Sequence, residues 1–146
     1  MEIKEQQTIA WDLIPNQYEY KMILVLSTES FHTICTKLNK HYGFDYREGI
    51  DYNKNDEISL PCCICNDDKR ICAILIDKFT NSVYDQTTLT HELFHAMTII
   101  SENVGLKINQ ETTEAWAYFL SFYLKVCLEC LKEHLKQSKK RLKNNN

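Results

Sequence analysis

The sequence has very few of the residues that interrupt regular structure. Only three glycines and two prolines occur among its 146 residues, and it contains no internal repeat or low-complexity stretch. So few glycines exclude a glycine-rich phosphate-binding loop, and the absence of a linker favours a single domain over residues 1–146. No apolar run approaches the length that crosses a bilayer, so we expect no membrane partner.

The N-terminal residues also lack the basic start and the apolar run of a secretory signal. Seven cysteines in a chain without an export signal indicate reduced thiols and a cytoplasmic protein. Because seven is odd, complete pairing within the chain is impossible, and we interpret the cysteines mainly as small buried hydrophobic side chains. The spacing of Cys62 with Cys65 and of Cys127 with Cys130 leaves a structural zinc site as a minor alternative.

The net charge is small, but the charged residues are unevenly placed. The net charge of −3 argues against a general nucleic-acid binder, because phosphate contact requires a basic surface. The last fifteen residues nevertheless contain a cluster of cations: Lys132, Lys136, Lys139, Lys140, Arg141 and Lys143. We interpret 137–146 as a basic tail that frays from a helix end and complements its dipole. A tail that binds a partner or touches nucleic acid is the alternative.

Three segments have the pattern of buried strands. Residues 20–26 are a short apolar run, followed at 27–30 by helix-capping residues and a helical pattern that Gly43 ends. After an irregular connection at 45–57, residues 62–65 and 71–76 are further strand candidates. The turn-forming residues 66–68 between them predict a hairpin.

Helical periodicity dominates the second half. One helix is predicted from about residue 85 to 103, closed by Gly105, and a second from about 113 to 133 or beyond. Strands followed by long helices are typical of the α+β class. We therefore predict a sheet of about three strands packed against an N-terminal helix, the helix at 85–103 and a long C-terminal helix.

The helix at 85–103 contains the residues with the clearest chemistry. His91 and His95 are four positions apart, so their side chains share one face and two imidazole nitrogens can reach one tetrahedral ion at about 2 Å each. Glu92 lies one step around the helix, where it cannot be a third ligand but can act as general base on a water at the metal. His-Glu-x-x-His on a helix is the zinc metallopeptidase signature. A solvated polar stripe, shared with Thr98 and Glu102, is the alternative.

A catalytic zinc site needs a third protein ligand and an open position. Glu114 lies 19 positions after His95. The first helix carries the chain roughly 12 Å beyond His95, and an eight-residue connection reaches roughly 27 Å when extended, so an antiparallel return to the histidines is feasible. The next helix is apolar nearly all round, so we expect it to be buried on most sides, with Glu114 pointing inward. Glu111 is a rival ligand with similar reach, and Glu102 is a weaker one.

The spacing of these residues resembles the gluzincin pattern of thermolysin and aminopeptidase N relatives. It consists of His91-Glu-Leu-Phe-His95, eighteen further residues and Glu114-Ala-Trp-Ala-Tyr118. The resemblance covers residues 84 to about 125. It implies a minimal zincin-like domain, a zinc cofactor and a strand along the cleft edge that pairs with an extended peptide, for which Ile71–Ile76 is our candidate. Tyr118 is the candidate transition-state donor, with a core tyrosine as the alternative. Size and element order also resemble small HExxH proteins encoded by phages and mobile elements.

Two classes of function follow from these residues. The first is zinc-dependent hydrolysis of a peptide bond in a peptide or protein substrate, with His91, His95 and Glu114 as metal ligands and Glu92 as general base. A narrower form of this hypothesis is a regulatory protease that cuts one partner protein. The second class is a zincin-shaped binding protein for virion or host interaction, in which the metal site is structural or vestigial.

Overall fold

The computed structural model describes residues 7–43 and 58–145, so the predicted connection at 45–57 lies outside the described residues. Within these ranges the chain forms four strands: β1 (Thr8–Asp12), β2 (Lys21–Ser27), β3 (Cys62–Asn66) and β4 (Ile71–Ile76). It also forms three helices: α1 (Phe31–Tyr42), α2 (Val83–Asn103) and α3 (Thr113–Asn144). The predicted α+β class and all three helices are confirmed. The sequence did not predict β1. Its side chains are only partly buried, so the strand gives a weak sequence signal.

The four strands form one mixed sheet in the order β1-β2-β4-β3. β1 pairs with β2 antiparallel, β2 with β4 parallel, and β4 with β3 antiparallel. The hairpin predicted around 66–68 is confirmed. The prediction that Ile71–Ile76 runs along an edge is wrong, because β2 pairs with its free side and makes it central. Among the described strands, β3 forms the edge of the sheet on the hairpin side.

Helices cover both faces of the sheet. Alternation along β4 sends Ala73 and Leu75 into a core with α1, and Cys72, Ile74 and Ile76 into a larger core with α2 and α3. Every residue of β4 is therefore buried, as expected for a central strand covered on both sides. α2 packs against β3, β4 and α3, so the histidine-bearing helix lies next to the β3 edge.

Local capping sets the helix boundaries. Ser30 accepts a hydrogen bond from the Thr33 amide at the start of α1, and Gly43 ends that helix in the left-handed region with φ 76°. α2 begins at Val83, slightly earlier than predicted, because Ser82 and Asp85 form a capping box. α3 continues as helix through Asn144, across most of the basic stretch for which the sequence suggested fraying. No helix in the described part of the chain is long and apolar enough to span a membrane.

Candidate functional site

His91 and His95 lie together on the exposed face of α2. Their Nε2 atoms are 3.0 Å apart, and the two rings meet edge to face with centroids 4.7 Å apart. Two nitrogens bound to one tetrahedral ion at about 2.0–2.1 Å would be roughly 3.3–3.4 Å apart. The observed separation is close to that value, so the pair fits a shared metal ion with only a small side-chain adjustment.

Glu92 lies on the inner side of the same helix. Only 7% of the residue is exposed, although it directly follows an exposed histidine. Within the described part of the chain, its carboxylate accepts no hydrogen bond and forms no ion pair. Buried polar groups are nearly always hydrogen-bonded, and an exception calls for an explanation such as a catalytic role.

Two cysteines of the β3 edge strand lie close to Glu92. Burial raises the pKa of the Cys62 and Cys63 thiols to about 12, and the neighbouring Glu92 carboxylate adds to both increases. A high pKa keeps these thiols protonated and unreactive near neutral pH. Sequence reasoning missed this proximity because it depends on how α2 lies against β3.

The remaining strand cysteines correct the expectation that all thiols are reduced. Cys65 and Cys72 face each other in the β3–β4 register and are joined by a disulfide. The Cys63 sulfur lies 3.8 Å from that of Cys65, because alternate residues of a strand share one face. The alternation also excludes the four-cysteine zinc site, since Cys62 packs toward α1 and Cys65 toward the opposite core.

α3 exposes the residue predicted as third ligand. Its buried residues form one stripe, namely Trp116, Phe119, Tyr123, Cys127 and Leu131. Glu114 is exposed in the first turn, roughly on the opposite side of the helix from that stripe by the 3.6-residue repeat. The expectation that α3 is buried on most sides is wrong, because it packs against the body of the protein along one stripe only.

The rival ligands are exposed as well. Glu102 lies in the last turn of α2, and Glu111 lies in the connection before α3, where its amide donates a hydrogen bond to Asn109. Across residues 7–43 and 58–145, no group of three or more His, Cys, Asp or Glu side chains is placed to hold one ion. Among the described residues the two histidines therefore lie together without a third ligand, and the choice between Glu114 and Glu111 stays a prediction.

Tyr118, the predicted transition-state donor, is 68% exposed on α3, so it is not a core tyrosine. It lines an open cavity of about 550 Å³ with Pro15, Asn16, Phe119 and Phe122. Neither His91 nor His95 lines this cavity. The role of Tyr118 stays a prediction.

Comparisons with known proteins leave the site to be interpreted from its own chemistry. No protein-family model, no curated protein and no solved structure matches this chain.

Proposed function

We propose that this chain is a zinc-dependent peptidase-like hydrolase with a minimal zincin-like domain and a site centred on α2. The observation that carries the proposal is the contrast between neighbouring residues of this helix. His91 and His95 present two nitrogens 3.0 Å apart to solvent, while the Glu92 carboxylate is buried beside them with no hydrogen-bonding or ionic partner among residues 7–43 and 58–145. A solvated polar stripe on this helix would leave the buried carboxylate next to it without an explanation.

Each residue has a separate task in this proposal. His91 and His95 hold the zinc ion, and Glu114 is the preferred third ligand. Zinc supplies the Lewis acidity that makes water a competent nucleophile near neutral pH. Glu92 accepts the proton of the attacking water and delivers it to the nitrogen of the leaving amine.

Glu114 must change its side-chain position to join the two histidines. Within the described residues its side chain forms no hydrogen bond or ion pair, so no polar contact opposes such a movement. Glu114 also lies in the first turn of its helix, next to the nine-residue connection 104–112 that sets the approach of α3 to α2. Metal binding would supply the free energy for this rearrangement.

The β3 edge supports a peptide substrate. β3 pairs with β4 on one side, and no strand pairs with its other side within the described residues. Unpaired N–H and C=O groups along a strand edge can bind an extended peptide by β-pairing. Because α2 packs against β3, a peptide added there would run close to the histidine-bearing helix.

Metal analysis of the purified chain tests the metal-binding step. We expect one zinc per chain, lost in His91→Ala and in His95→Ala, with His41→Ala as the control that retains it. Full zinc in both site variants would refute the assignment.

A second experiment separates binding from catalysis. Glu92→Gln should retain zinc and lose cleavage of a mixed peptide library, whereas Glu129→Gln at an exposed position of α3 should retain both. Unchanged turnover in Glu92→Gln would remove this carboxylate from the mechanism.

The exposed position of Glu114 favours one alternative, a zincin-shaped binding protein that lacks a complete catalytic site. Zinc-loaded protein that cleaves neither the peptide library nor any protein of a cell extract would support this alternative. Cleavage of one extract protein and of no library peptide would instead indicate a dedicated regulatory protease.

A further inference from the structure

The second half of α3 continues beyond the core as a helix with one attached side. Leu131 is its last fully buried residue, and the helix extends to Asn144. Beyond Leu131, His134, Leu135 and Ser138 are partly buried and face the sheet side, where the His134 ring contacts the Trp11 ring edge to face. These contacts determine which side of the helix faces solvent.

The solvent side carries a row of lysines, which we call the lysine row: Lys132, Lys136, Lys139 and Lys143. All four are exposed. Their spacing of four, three and four positions keeps them within a sector of roughly 60° and spreads them over roughly 16 Å of helix axis. Lys140 flanks the row, so five cations share nearly one face.

Charge in this chain is segregated between the body and the helix end. Residues 132–146 hold six Lys and Arg against one acid, a net +5, whereas residues 1–131 hold eleven against nineteen, a net −8. The overall charge of −3 conceals this division. The negative net charge therefore does not exclude nucleic-acid binding by the face that the lysine row forms.

Nothing in the described structure neutralises the lysine row. None of its members forms an ion pair within residues 7–43 and 58–145. Glu133, the one acid of the stretch, instead accepts a hydrogen bond from Gln137. Like charges at positions i and i+4 destabilise a helix, so the row is a source of repulsion that an anionic partner would relieve.

We propose that the lysine row binds the phosphate backbone of a double-stranded nucleic acid without reading its bases. Lysine is a flexible point charge that suits phosphate rather than base edges. Both strands of a duplex together carry one phosphate per roughly 1.7 Å of axis, so a row of roughly 16 Å has enough phosphates within reach for its five cations to neutralise about five of them. No Phe, Trp or Tyr occurs after Tyr123, so the helix end has no aromatic platform for unstacked bases.

An anionic membrane surface fits this face less well. A helix that lies in a lipid interface inserts an apolar side flanking its cations. Here the apolar side is attached to the sheet, and among the large hydrophobic residues of the described helix end only Leu142 is exposed. Leu142 lies roughly a quarter turn from the lysine row.

Fluorescence anisotropy of the full chain with a labelled 20-base-pair duplex, at 25 to 200 mM salt, tests the proposal. With about five phosphate contacts, the slope of log Kobs against log salt should be about −4.5. Lys136→Gln/Lys139→Gln/Lys143→Gln should make the slope shallower by about 2.7 and weaken binding by about a hundredfold or more at 0.1 M salt. The matched control Lys40→Gln/Lys69→Gln/Lys107→Gln removes the same charge from exposed positions away from the helix end and should bind as the parent does.

Several results would overturn the proposal. The proposal fails if the chain does not bind the duplex at 25 mM salt, or if both triple variants bind it equally. It also fails if the chain binds a single strand more tightly than the duplex. Binding to phosphatidylserine vesicles without duplex binding would assign the face to a membrane. Salt-sensitive dimerisation without duplex binding would show that the row docks on the acidic body of a second copy. Circular dichroism of each variant establishes that the helix is intact.

Discussion

Replacing Glu92 by methionine should stabilise the metal-free protein, and this prediction tests the buried carboxylate independently of any activity. Glu92 is 7% exposed, and its carboxylate has no hydrogen-bonding or ionic partner within the described residues. Transfer of such a group from water costs free energy that nothing in its surroundings returns. Methionine has a similar length and places apolar atoms in the same space.

The magnitude follows from the cost of an unsatisfied buried polar group. That cost is about 1–3 kcal/mol on mutational scales, and we take about 2 kcal/mol for this side chain. For 146 residues, an unfolding entropy of about 2.1 cal/mol/K per residue gives about 0.3 kcal/mol/K in total. The midpoint of thermal unfolding should therefore rise by about 6–7 °C.

Scanning calorimetry in the presence of a chelator measures this shift. Glu102→Met changes the same residue type at an exposed position of α2 and should move the midpoint by less than about 2 °C, as surface substitutions usually do. A lower midpoint for Glu92→Met than for the parent would refute the reasoning. It would mean that the carboxylate has a stabilising partner and that its burial needs no functional explanation.

Three further predictions concern the scaffold. Although burial alone would raise the pKa of Asp85, hydrogen bonds from Thr80 and Ser82 lower it below its ordinary value of 3.8. The carboxylate therefore stabilises the fold above about pH 4. In urea unfolding, Asp85→Asn should lower the free energy of unfolding by about 1 kcal/mol at pH 7 and by less at pH 3. An equal loss at both pH values would contradict this. In Gly43→Ala the new Cβ would meet no atom within 4 Å, but the backbone would keep its φ of 76°. Denaturant unfolding should therefore show a free energy of unfolding lower by about 1 kcal/mol, from backbone strain alone. An unchanged free energy of unfolding would refute a left-handed cap. Thiol titration of the unreduced, denatured chain should find five free cysteines, given the Cys65–Cys72 disulfide, and seven would contradict it.

Local patterns in the sequence were sufficient for most of the elements. Helical periodicity, capping residues and Gly43 place both ends of α1 and α2 and the start of α3 within a few residues of their observed bounds, because these signals act over one or two turns. The end of α3 at Asn144 lies well beyond the predicted end near residue 133. The hairpin between β3 and β4 is equally local. β1 was missed because an edge strand with half-buried side chains resembles an irregular segment until its partner is known.

The sequence by itself determined that His91 and His95 share a face, since a four-residue spacing on a helix allows no other result. Only the tertiary structure decided which neighbours point inward. It buries Glu92 against β3 and exposes Glu114, because each helix presents to the core the stripe that packs best against the sheet. Strand order was decided in the same way, since the pairing of β2 with β4 joins segments far apart in the chain. Such pairings depend on the burial of both sheet faces at once, which no local pattern records.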